Sequence, residues 1–213
     1  MARTDHPEKS ETSMTLTRLL AASALILAAQ SAQAVVVTSS ITFEDDYSID
    51  RQLIAKNYGS IVGALDTLIQ DSDGNALRFW SNSYSGAPAA YADTFVGSIT
   101  LTPLGGRTVR LNTFFLGGWP NSDRNISYAI DDLATDGVDF SSPNAFVPGT
   151  GGTTVVSFMT SASGIKITFG PDGFNGGINY INYTLSAPIP EPETWAMLGL
   201  GLGLLGFGVR CAR

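Results

Sequence analysis

The sequence predicts an all-β fold: a two-sheet antiparallel sandwich of the jelly-roll kind, flanked by an N-terminal signal helix and a C-terminal transmembrane helix. Three observations carry this expectation. Among 213 residues only 15% are charged, while 23 are Gly and 10 are Pro, a composition of short strands and turns rather than amphipathic helices. Apolar residues in the middle of the chain recur with a period of two: Val109 and Leu111 alternate with Arg110 and Asn112, and Ile165, Ile167 and Phe169 with Lys166 and Thr168. Between these runs stand Gly105-Gly106, Pro120-Asn121-Ser122, Asp136-Gly137, Gly149-Thr150-Gly151-Gly152 and Pro171-Asp172-Gly173. Such residues make turns because they supply positive φ, a fixed φ or side-chain bonds to the backbone.

Nine strands are expected, near 35–43, 60–69, 76–81, 95–102, 107–116, 125–131, 153–160, 163–169 and 177–185. Residues 50–56 read as a single short helix or an irregular strand. Asp71-Ser72-Asp73-Gly74-Asn75 opens like a calcium-binding loop, but its Gly comes too early and Asn82 stands where the bidentate Glu belongs. It is expected to be an exposed type I′ turn.

The ends are addresses. Residues 19–29 form an apolar run of eleven, preceded by Arg18 and followed by Ala32-Gln33-Ala34. A positive start, a short apolar stretch and a small-x-small site make a secretory signal peptide over residues 1–34, and hence imply the Sec export machinery as a partner. Asp5, Glu8 and Glu11 outnumber Arg3 and Lys9 ahead of it, so Met14 is expected to be the true start.

The C-terminal segment 188–213 has three parts. Pro190-Glu191-Pro192 favours extended backbone. Trp195 opens an apolar, Gly-rich stretch over 195–209, a short transmembrane helix, and Arg210 and Arg213 form a positive stop. Together with Ala196-Met197-Leu198, these residues resemble a PEP-CTERM sorting signal, with Cys211 and Ala212 interrupting the usual arginine cluster. The resemblance implies that exosortase processes the chain near Pro190, Glu191 and Pro192 after a transient stay in the inner membrane. It also implies a final location at the cell surface or in the extracellular matrix.

Residues 35–187 then form the mature domain. Through residue 189 it holds seven Lys or Arg and fourteen Asp or Glu, a net charge of −7. No basic field exists to neutralise phosphate, so nucleic acid is excluded as a partner. The single histidine, His6, precedes the export signal, and the single cysteine, Cys211, lies in the tail. Histidine-based triads, histidine-ligated metals and disulfides are therefore excluded from the domain. The domain also resembles the jelly-roll sandwiches found ahead of PEP-CTERM tails and among carbohydrate-binding modules. That likeness is carried by Ile41-Thr42-Phe43-Glu44, Leu116-Gly117-Gly118-Trp119, Asp172-Gly173-Phe174 and Gly177-Ile178-Asn179-Tyr180-Ile181, where Asn179 replaces a frequent Asp.

Sugar rings stack their C–H faces on aromatic side chains while amides and carboxylates take the hydroxyls. Trp80, Tyr84, Trp119, Asn121 and Asp123 are the expected ligand-binding residues, and exopolysaccharide the expected ligand. A structural Ca2+ is expected, with no other cofactor; Glu44, Asp45 and Asn179 supply oxygens for it near the first and last strands. The expected function is non-enzymatic, with no catalytic residues. A glycoside hydrolase or lyase would need two carboxylates about 5–9 Å apart, drawn from Glu44-Asp45-Asp46 and Asp131-Asp132. An ice-binding protein would need a periodic Thr array, which the sequence does not display.

Overall fold

A computed structural model of the chain describes residues 35–44, 46–188, 199 and 201. Gly199 and Gly201 are helical. The signal peptide, Asp45 and the rest of the expected transmembrane helix lie outside the described residues.

Residues Val35–Pro188 form one compact unit built from twelve strands among the described residues. These are β1 (Val36–Thr42), β2 (Leu65–Asp71), β3 (Arg78–Tyr84), β4 (Ala87–Tyr91), β5 (Gly97–Pro103), β6 (Thr108–Gly118), β7 (Arg124–Asp132), β8 (Phe140–Val147), β9 (Thr153–Val156), β10 (Thr160–Ser161), β11 (Ile165–Phe169) and β12 (Gly176–Ser186). One sheet has seven strands in the order β10-β6-β12-β4-β3, with β1 added beside β12 and β9 beside β6; the other runs β2-β5-β11-β7-β8. Every pairing is antiparallel.

Alternation explains the layering. Ile165, Ile167 and Phe169 of β11 are buried while Lys166 and Thr168 are not, and β6 buries Val109 and Leu111 around an exposed Arg110. These inward residues meet Ile41, Phe79, Ile99, Leu101, Phe114, Ile130, Ile178, Ile181 and Tyr183 in one continuous core between the sheets. β12 keeps its apolar residues inward across a bulge between Ile178 and Ile181, which absorbs Asn179 and Tyr180.

Three expectations are corrected. β4 and β8 are strands that the sequence does not announce. β4 reads Ala-Pro-Ala-Ala-Tyr, without β-branched residues, and β8 contains Pro143, which an edge strand tolerates. The strand expected over 153–160 is divided into β9 and β10. Of the two readings of residues 50–56 the irregular strand is the one observed: they lie along β3, with Arg51 N–H donating to Phe79 O (2.7 Å), Ile54 N–H to Leu77 O (2.8 Å) and Phe79 N–H to Gln52 O (2.9 Å). Finally, residues 71–75 are not a hairpin turn, because β2 and β3 belong to different sheets. The Asp71 carboxylate itself organises this crossover, accepting from Asp73 N (3.0 Å), Asn75 N (2.7 Å) and Asn75 Nδ2 (3.3 Å).

Candidate functional site

The seven-stranded sheet carries a second, smaller apolar cluster on its outer face. In β3, Phe79 points into the core and its neighbours Arg78 and Trp80 point out; in β4, Ala90 points in while Ala89 and Tyr91 pack into the outer cluster. Tyr84, Ala89 and Tyr91 are buried there beneath Trp80, Trp119 and Phe174, which are half-buried. Trp119 arrives from the end of β6 and Phe174 from the loop before β12.

Two glycines make the arrangement possible. A Cβ on Gly117 would lie 2.6 Å from Tyr84 O, and one on Gly177 would lie 2.8 Å from both the Tyr84 ring and Ala89. Without side chains at either position, the Tyr84 ring lies flat on the sheet. It stacks on Tyr91 with centroids 5.7 Å apart, and its hydroxyl donates to Phe174 O at 2.7 Å. Above this floor the rings meet edge to face: Trp80 with Trp119 at 6.1 Å and 72°, Trp119 with Phe174 at 4.8 Å and 70°, and Tyr91 with Phe174 at 5.6 Å and 90°. Such tilted contacts suit the ring quadrupoles.

A charged rim surrounds the rings. The Arg51 guanidinium lies 5.7 Å from the Trp80 ring centre. Arg78 forms an ion pair with Asp93 and donates to Arg51 O at 2.8 Å, and Asp50 accepts from Ser81 N at 2.7 Å. Tyr91 is fully buried, and its hydroxyl has no hydrogen-bond partner among the described residues. Burial pushes its pKa up, with Asp93 adding to the effect and Arg78 and Arg51 opposing it. Burial likewise raises Tyr84, reinforced by Tyr91, Asp93 and Asp172.

The expected sugar-binding residues thus divide. Trp80 and Trp119, 39 positions apart, are brought together and only partly buried. Tyr84 lies beneath them as support. Asn121 and Asp123 hold loops: Asn121 Oδ1 accepts from Gly86 N (2.7 Å) and its Nδ2 donates to Asn82 O (3.4 Å), while Asp123 accepts from Gly149 N (2.8 Å). Arg51, Arg78 and Asp93 are rim residues that sequence reasoning missed. Strand alternation alone sets Arg78 on the same face as Trp80, but nothing in the sequence ties Arg51 to Trp80, since the irregular segment before β2 reaches the site only by lying along β3.

The other candidates are also placed. Thr42, the last residue of β1, pairs with Tyr180 and Glu44 is exposed beyond it, while the Asn179 amide donates to Pro88 O. Asp45 lies outside the described residues, among which no group of three or more His, Cys, Asp or Glu is gathered to hold a metal. Asp131 and Asp132 belong to the other sheet. Asp131 faces Lys166 across the β7–β11 ladder, and one of its carboxylate oxygens is buried without a partner. Burial raises its pKa, Lys166 opposes the rise and Asp139 adds to it. Asp132 accepts from Ser161 Oγ (2.5 Å) and Ala134 N (2.9 Å). Two hollows lie elsewhere, one of about 520 Å³ beside Ser60 and Asp66 and one of about 330 Å³ beside Phe140 and Phe158.

Residues 188–213 match the PEP-CTERM protein-sorting motif. The chain carries a PEP-CTERM sorting signal. The matched segment contains Pro190, Glu191, Pro192, Trp195, Arg210 and Arg213, all outside the described residues. The PEP-CTERM motif marks an exported protein, held transiently in the membrane before exosortase cleaves it. No curated protein sequence matches the chain. Among solved structures, the exo-β-1,3-galactanase from Phanerochaete chrysosporium bound to β-1,3-galactotriose matches at 14% identity and a TM-score of 0.29, over 59% of this chain. Its galactose-bound form matches at 14% identity and a TM-score of 0.28, over 70% of this chain. In both cases the chain spans 29% of the galactanase's length. A fit that loose carries nothing about site or substrate.

Proposed function

We propose that the mature domain is a jelly-roll matrix or cell-surface protein that binds exopolysaccharide through the outer-face platform of Trp80 and Trp119. The observation that supports this most directly is the pair itself: two tryptophans from separate parts of the chain meet at 6.1 Å and both stay partly open to solvent. Ring faces of this size offer apolar area on which the C–H face of a sugar can stack. The Asp50, Arg51, Arg78 and Asp93 rim supplies donors and acceptors for sugar hydroxyls. A single such contact is weak, and a polymer that meets many copies gains by avidity. The sorting signal brings the domain to where such polymers lie.

The test is retention of residues 35–188 on a column of exopolysaccharide from the source organism, with calcium and with chelator. Trp119→Ala is expected to abolish retention while leaving the protein folded. Chelator sensitivity would support the calcium ion proposed near Glu44 and Asn179. Equal retention of wild type and Trp119→Ala would overturn the proposed site.

A further inference from the structure

Strand edges present unpaired backbone donors and acceptors, and folded proteins blunt them with bulges, charges, prolines or covering segments. Most edges here are blunted. Each outward N–H of β2 has a partner: Leu65 N donates to Ile61 O (3.0 Å), Thr67 N to Ser60 Oγ (2.9 Å), Ile69 N to Lys56 O (2.8 Å) and Asp71 N to Asn75 O (2.8 Å). β3 is covered by residues 51–54, β8 carries Pro143, and β9 and β10 have four and two residues.

β1 is different. Ala187 N–H donates to Val35 O at 2.9 Å, and Val36 stands opposite Ser186. In an antiparallel ladder, bonded and non-bonded positions alternate. Val35, Val37, Ser39 and Ile41 therefore bond inward to β12, and Val36, Thr38, Ser40 and Thr42 turn their N–H and C=O outward. The Tyr58 hydroxyl reaches Thr42 O at 2.6 Å on that outward side, as this parity requires. Val36, Thr38 and Ser40 are exposed, and their outward backbone groups have no partner among the described residues. Val36 and Val37 are 61% and 53% exposed. Neither β1 nor the adjoining β12 contains a charged residue or a proline.

We propose that this edge pairs with the same edge of a second copy, antiparallel, about a two-fold axis at Thr38. The parity is self-complementary: Thr38 faces Thr38 of the other copy, and Val36 faces Ser40, so outward groups meet outward groups throughout. Charge selects the same edge. The domain carries −7, and a strand pair without charges lets two copies approach without opposing like charges across the ladder. The two-fold closes the assembly as a dimer. Directly opposed residues share a face of the sheet, so both Trp80–Trp119 platforms point the same way. The pairing itself does not depend on the glycan reading.

Residues 35–188 contain no cysteine, so one introduced thiol reports the geometry. The two-fold sets residue 38 opposite itself with Cα atoms about 5.5 Å apart, inside the disulfide range of about 4.4–6.8 Å. On air oxidation of the folded domain, Thr38→Cys is expected to form a disulfide dimer at least about tenfold faster than Ser40→Cys, whose thiol faces Val36 of the other copy. Mixing Ser40→Cys with Val36→Cys is expected to restore fast coupling. Equal rates for Thr38→Cys, Ser40→Cys and the exposed control Asn82→Cys would overturn the pairing.

Discussion

The core between the sheets and the cluster on the outer face are built from the same kinds of side chain and end differently. In the core, Ile99, Leu101, Phe114, Ile167 and Phe169 are fully buried, and strand alternation puts them there. On the outer face Tyr84, Ala89 and Tyr91 are buried as a floor, and Trp80, Trp119 and Phe174 stay partly open above the Tyr91 hydroxyl, which has no partner among the described residues. The core lowers the free energy of the fold by removing apolar area from water. The outer cluster places large rings edge to face at the surface, an arrangement that leaves apolar area available for binding.

That contrast sets an order of expected effects. Phe114→Ala, at the centre of the core against Tyr128 (5.5 Å between ring centres), is expected to destabilise the domain by about 3–5 kcal/mol, read as the shift in a urea unfolding curve. The two tyrosines of the outer floor sharpen the comparison, because equal chemical changes should have opposite signs. Tyr84→Phe leaves Phe174 O without its donor and is expected to lose about 1–2 kcal/mol. Tyr91→Phe removes a buried hydroxyl that has no partner among the described residues, and a gain of about 1 kcal/mol is expected. The same sign from both variants would break the account of the floor.

A smaller effect is expected on the opposite sheet. The folded-state pKa of Asp131 is raised above that of the unfolded chain, so its contribution to stability is present at low pH and is lost as pH rises through the folded value. Asp131→Asn should therefore gain stability relative to wild type as pH increases across that window. Thermal melts at acidic and neutral pH measure this, and a constant difference would contradict it.

How much of this is legible in the sequence depends on the range of the cause. The inward faces of β6 and β11 follow from alternation within a few residues, and the sorting tail is a contiguous motif. β4 is hidden because Ala87, Pro88, Ala89 and Ala90 have no strand preference of their own; β12 and β3 on either side make it a strand. The site shows the same division. Trp80 and Trp119 stand out as aromatics in polar, turn-rich stretches, yet their contact follows from the sheet order β6-β12-β4-β3 and from Gly117 and Gly177 admitting Tyr84 beneath them. Asn121 and Asp123 have the right chemistry for sugar hydroxyls, but the turns around them already engage those side-chain oxygens.

Residues 35–188 contain only two tryptophans, and both stand in the platform. A fluorescence titration of this domain with the source organism's exopolysaccharide therefore reads the site itself. A saturable change in tryptophan emission, lost in Trp119→Ala, is the predicted result. Retention on the polymer with no change in emission would place the binding surface elsewhere and contradict the central claim.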